Sequence, residues 1–329
     1  MQRREFITLV GGAAAAWPID ARAQQDGRVR RIGVILPAAS DDAEFQTWMG
    51  AFLQALAQLG WTIGRNIRID THWATANAAK IRQQAEQLAA LAPDVILTAG
   101  TSTAGPMLQA TRTVPIVFAT VVDPVGAGFI DSLARPGGNA TGFLLYEYSL
   151  GGKWLELLKQ IAPTVTRAAV LRDAATPSGT GQFAAIQAVA PSLNLEVAPV
   201  NMRDAGELER DIATFARAPN GGLILTGSNL SILHHDLIIA LAARHKLPTI
   251  YYERFYVAAG GLISYGSDRI ELYRQAAGYV DRILRGENPA NLPVQAPTRF
   301  ELVINLKTAK ALGLMVPPAL LATATETIQ

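Results

Sequence analysis

Short apolar runs alternate along most of this chain with longer segments of three-and-four periodicity. Residues 31–36 (RIGVIL) are almost continuously apolar, the pattern of a strand covered on both faces. In residues 41–60, Phe45, Trp48, Phe52, Leu56 and Leu59 recur three or four apart and Gly60 closes the run, which predicts a helix. Residues 66–73 alternate as a strand, 78–91 read as a helix, and 94–98 (DVILT) as a strand. A helix is predicted from about residue 103, then a strand over 115–119. The alternation restarts after Tyr146: helix 154–161, strand 168–171, helix 182–189, strand 195–200, a helix after Asp204, strand 222–225, a helix after Ser228, and strand 248–251. Asp204 with Glu207 three residues on resembles a capping box.

Strands alternating with helices imply parallel sheets covered on both faces. The expected fold class is therefore α/β, with two doubly wound parallel-sheet lobes joined by a three-crossover hinge. The connectivity follows from the C-terminal part, where residues 261–265 read as a strand, 268–285 as a long helix, 286–297 as a Pro- and Asn-rich linker, and 300–305 as a last strand. A strand-plus-helix returning to the first lobe and a last strand in the second produce three passages. The expected partition is 29–145 with 266–290 for lobe 1, and 146–265 with 291–329 for lobe 2.

The first two dozen residues stand apart. Arg3-Arg4, an apolar stretch over 6–17 and Ala21-Arg22-Ala23 form a charged, apolar and small-residue succession, that of a secretory signal with cleavage near Ala23. The adjacent arginines followed by Phe6 resemble a twin-arginine export signal, leaving a general or a twin-arginine route open. The expected location is a bacterial periplasm, with neither a transmembrane segment nor a lipid anchor.

Composition narrows the function. The chain has 329 residues, enough for two domains, and half of them are hydrophobic. The net charge of +2 supplies no basic footprint for nucleic acid. Cysteine is absent, which excludes disulfides, thiolate metal sites and cysteine nucleophiles. Residues 100–105 (GTSTAG) are one residue too long for a G-x-S-x-G nucleophile elbow, and no glycine fingerprint follows the first strand. The adjacent His234 and His235 make a poor metal pair. No catalytic residue, metal or cofactor is expected, and the chain is read as a non-enzyme.

In open α/β sheets, ligands sit beyond the carboxyl ends of the strands. Thr101 and Ser102, after the third strand, would hold a carboxylate through N–H groups and hydroxyls, or simply cap the helix. Asp123-Pro124 reads first as an N-cap and first helical residue, and secondarily as a contact to an ammonium group. Asp173, Ser228, Tyr252 and Glu253 would form the opposing wall, or serve as caps and surface residues. Tyr146 and Trp73 belong to an aromatic set that would line a pocket or pack in the core.

Residues 118–142 (FATVVDPVGAGFIDSLARPGGNATG), 265–295 and 300–314 (FELVINLKTAKALGL), together with the N-terminal leader, resemble the ABC-transporter substrate-binding proteins of the tryptophan or aromatic-amino-acid-like type. The resemblance covers essentially the whole chain. It implies a type I periplasmic binding protein whose lobes close on a small ligand, an amino acid or aromatic acid. It also implies permease and ATPase partners in the inner membrane, and the chain itself is expected to be a monomer. Asp123-Pro124-Val125 matches the family directly, whereas 172–177 (RDAATP) departs from the Asn-Pro-rich loop usual there. A sensing protein for a membrane receptor is the nearer alternative, and an exported α/β hydrolase the more distant one.

Overall fold

The computed structural model describes residues 28–75 and 77–329. The expected export signal over 1–23 lies outside the described residues. The first lobe is built in chain order from β1 (Arg30–Leu36), α1 (Ala43–Gln58), β2 (Ile67–Trp73), α2 (Ala78–Ala90), β3 (Val95–Ala99), α3 (Thr101–Ala110), β4 (Ile116–Val121) and β5 (Ala140–Leu144). The strands lie in the order β2-β1-β3-β4-β5, all parallel. β3, β4 and β5 are buried along their whole lengths, as their apolar runs require. Asp42 opens α1 by accepting the N–H groups of Glu44 and Phe45.

The helix expected after Asp123 does not form. Residues 124–128 make a turn, in which Asp123 Oδ1 accepts the Gly126 N–H at 2.8 Å. Gly128 adopts φ +70°, a conformation that ends helical continuation and suits glycine.

The second lobe comprises α4 (Leu150–Ile161), β6 (Arg167–Arg172), α5 (Pro177–Val189), β7 (Glu196–Asn201), α6 (Ala205–Phe215), β8 (Gly221–Leu225), α7 (Asn229–Leu233), α8 (His235–Arg244), β9 (Thr249–Tyr251), α9 (Arg254–Ala258) and β10 (Ile263–Ser267). After α10 (Arg269–Leu284), it is completed by β11 (Phe300–Asn305), α11 (Leu306–Ala311), α12 (Pro318–Thr323) and β12 (Glu326–Ile328). Its sheet runs β12-β11-β10-β9-β8-β6-β7, parallel except where β10 meets β11. The fully buried Trp154, Tyr251 and Tyr256 anchor its core.

The chain passes between the lobes after β5, after β10 and near Gln295. Helix α10 packs its Leu272, Tyr273, Ala276 and Val280 face with Phe52 and Leu56 of α1, in the first lobe. Gln295 then exchanges backbone hydrogen bonds with Gly142 and Leu144 beside β5 before β11 re-enters the second sheet. The strand expected to return with the helix does not do so. Strand β10 pairs with β9 and β11 and stays in the second lobe, so the helix alone returns.

Candidate ligand-binding site

The carboxyl ends of the strands in both sheets face a cavity of about 200 Å³ between the lobes. Its first-lobe floor is the β3–α3 junction. Gly100 stands at the N-cap with φ +77°, and no side chain caps α3. Thr101 and Ser102 are therefore the first two helical residues, not caps, and the helix starts two residues earlier than its periodicity suggests. Thr103 makes the local hydroxyl contacts, accepting the Ala99 N–H at 3.0 Å and donating to its carbonyl at 2.8 Å. Ser102 Oγ is buried and finds no hydrogen-bond partner among the described residues. An uncapped helix start carries exposed N–H donors and the positive end of the helix dipole, which suits an anion.

Thr120 adjoins this floor, where the β4–β5 register shifts between Phe118 and Val121. Its φ of +63° is uncommon for a β-branched residue.

The opposing wall comes from the loops after β6, β8 and β9. Asp173 lines the cavity while its Oδ1 accepts the Ala175 N–H at 3.0 Å. Ser228 caps α7 in a reciprocal box with Ser231. Ser231 Oγ lies 3.3 Å from the Tyr252 hydroxyl, itself 3.2 Å from that of Tyr256. Burial pushes the Tyr252 phenol up to about 12, so its hydroxyl stays protonated. The cavity thus joins Thr101 and Ser102 to Asp173, Ser228 and Tyr252.

Four of the residues singled out from the sequence do not line this cavity. Trp73 ends the edge strand β2 and packs against the first-lobe core, because β2 lies farthest from the crossovers. Asp123 accepts the Tyr148 hydroxyl at 2.7 Å and lines a neighbouring hollow. Tyr146 is buried behind the wall, its hydroxyl accepting the Gly227 N–H at 2.8 Å. Glu253 points instead into a hydrogen-bonded ion pair with Arg269, beside a hinge-side hollow.

Arg269 itself was missed. It is the first residue of α10, directly after the second crossover, and it lines the cavity. Its guanidinium carbon stands 4.8 Å from the Trp48 ring centroid, a cation–π distance. Asp268 as an N-cap was a readable signal for its position, but its partners are remote in sequence. Phe45, Thr176 and Ser178 also line the cavity without having been anticipated.

Two mostly parallel α/β sheets linked by three crossovers around a cavity give the architecture of the two-lobed periplasmic-binding-protein fold. The sequence matches the model of the family described as ABC transporter substrate binding protein over residues 31–328, and the chain belongs to that family. A tyrosine-binding protein of Clostridioides difficile (strain R20291) is 28% identical over 263 residues, 80% of this chain and 75% of that protein. A conserved domain protein from Vibrio cholerae matches with a TM-score of 0.83 at 28% identity, over 91% of this chain and 100% of that one. An ABC domain from Streptococcus pneumonia, solved with L-Trp, also gives 0.83, at 23% identity over 91% of this chain and 99% of its own. The family is one of transporter substrate-binding proteins, not of enzymes.

Proposed function

We propose that this chain is the periplasmic component of an ABC importer, closing its lobes around a small carboxylate-bearing ligand and presenting it to a permease and its ATPase. The carrying observation is the uncapped start of α3, where Ser102 Oγ is buried with no hydrogen-bond partner among the described residues and lines a cavity between the lobes. Thr101 and Ser102 hold the carboxylate in this reading, and Asp173, Ser228 and Tyr252 act from the other side. The relatives named for tyrosine and solved with L-Trp favour an aromatic amino acid over other carboxylates. Residues 29–145 with 266–290 move as one body, and 146–265 with 291–329 as the other. A ligand touching both favours the closed arrangement by its differential affinity. The leader directs export and is removed near Ala23, leaving a monomer outside the inner membrane.

The test is a thermal-shift screen of residues 24–329, unfolded and refolded to strip carried-over ligand, against amino acids, aromatic acids and short peptides. A ligand at 100 times its Kd adds about 2.7 kcal/mol, a visible rise in Tm. A saturable rise with an aromatic amino acid supports the reading. A flat response across the amino and aromatic acids contradicts it.

A further inference from the structure

Arg269 is a nearly buried cation on the wall of the ligand cavity, and its local partners do not use it up. A guanidinium offers five N–H donors. Nη2 donates to Glu253, while Nε is buried and finds no acceptor among the described residues. An unmet charged donor costs more than an unmet neutral one, so a ligand that supplies an acceptor gains relative to one that does not. Glu253 and the Trp48 ring hold the guanidinium in place, Trp48 sits 4.7 Å from Phe45, and Phe45 also lines the cavity. This corner, just past the second crossover, is therefore cationic and aromatic. The α3 corner, by contrast, is built from backbone amides and the hydroxyls of Thr101 and Ser102. The two enter the cavity from different elements and call for two separate acceptors.

We propose that Arg269 is a specificity-determining residue that reads a second acceptor on the ligand, so that the preferred ligand is an aromatic amino acid carrying an oxygen on its ring. The ring lies along Phe45, its oxygen meets Arg269, and its α-carboxylate meets the start of α3. Glu253 is the positioning residue, and its carboxylate keeps the guanidinium from turning away. This inference rests on the function proposed above.

The test compares L-tyrosine, 4-carboxy-L-phenylalanine and L-phenylalanine by calorimetry on refolded residues 24–329. One charge-assisted hydrogen bond corresponds to a preference for tyrosine over phenylalanine of about tenfold or more. The double variant E253Q/R269Q removes both charges, so no lone buried ion remains, and R269K retains the positive charge without the planar fork. In the double variant the preference should fall to about twofold or less, one weak contact's worth. R269K should retain part of it, and the carboxylated analogue should lose more affinity than tyrosine in E253Q/R269Q. Circular dichroism establishes that each variant is folded. An equal or reversed preference in the wild type, or one preserved in the folded double variant, overturns the inference while leaving the proposed function standing. Wild-type protein that binds none of the three overturns the inference, and only a flat response in the wider screen of amino and aromatic acids removes the proposed function as well.

Discussion

Glu253 and Arg269 meet at the hinge, one from the loop after β9 in the second lobe and the other from the first turn of α10 in the first. Their side chains are 7% and 11% exposed, so the pair is largely shielded from solvent, with Arg269 showing an edge to the cavity. Burial pushes the Glu253 carboxyl up to about 7, against the downward pull of Arg269 and with help from Glu44 and Glu301. The nearby carboxylate and the tyrosines Tyr252 and Tyr273 keep Arg269 protonated despite its own burial.

That carboxyl sets a pH dependence. In the unfolded chain Glu253 ionises near its ordinary value of 4.5, well below its folded value. Between the two values the folded state binds a proton that the unfolded state has released, so stability falls as pH rises through this window. The contribution is fully present below the lower value and lost above the upper one, with a slope of at most about 1.4 kcal/mol per pH unit. Melting curves of wild type and E253Q from acid to mildly alkaline pH should show the wild type losing ground to the variant as pH rises. Parallel curves would show that Glu253 carries no such shift.

At the first-lobe floor, Thr101→Val with Ser102→Ala removes two hydroxyls that cap nothing. Affinity for a carboxylate ligand should fall about 10- to 100-fold, one or two charge-assisted hydrogen bonds. Because Thr103, and not either of these, ties down the β3–α3 junction, Tm without ligand should change little. Unchanged affinity in a titration would remove both residues from the site.

Two glycines make an internal contrast. A Cβ on Gly266 in β10 would collide with the Tyr252 carbonyl oxygen, a backbone atom that cannot swing aside. Gly266→Ala should cost about 1–3 kcal/mol of stability and weaken ligand binding, since Tyr252 lines the cavity. Gly278, inside α10, has open space around its Cβ position, and Gly278→Ala should stabilise by about 0.5–1 kcal/mol. Denaturant midpoints moving in opposite directions support this packing; midpoints moving together contradict it.

Tyr148 donates to Asp123 beside the first crossover and packs on α5 through Gly181. Tyr148→Phe deletes a lobe-to-lobe hydrogen bond without removing the ring. Ligand affinity should drop a fewfold, in line with about 1 kcal/mol, while the unliganded Tm holds. Small-angle scattering of the liganded variant should register a larger open fraction at equal ligand. Identical affinity and scattering would mean that the contact does not bias closure.

Much of this architecture was legible because its signals are local. The apolar runs of β1, β3 and β4, the periodicity of α1, and the capping aspartate Asp204 each act within a few residues. Strand β5 escaped notice because ATGFL is short and mixed, and it is held by β4 and Gln295, not by its own pattern. The site divides the same way. Thr101, Ser102, Asp173, Ser228 and Tyr252 line the cavity, and the sequence points to them because loops beyond strand ends are where such cavities lie. It does not point to Arg269, whose meaning depends on Glu253 and Trp48, which only the fold brings together. For Tyr146 the sequence leaves pocket lining and core packing open, because nothing local tells a wall from its support, and the fold places it behind the wall.

Carboxylate recognition in the cleft is tested by calorimetric titration of refolded residues 24–329 with L-tyrosine and L-tryptophan, each against its decarboxylated amine. A cleft that holds the α-carboxylate gives saturable one-to-one binding of at least one amino acid, with affinity lower by about tenfold or more for the matching amine. Equal binding of amine and amino acid, or no binding of either, would contradict a cleft built to hold a carboxylate.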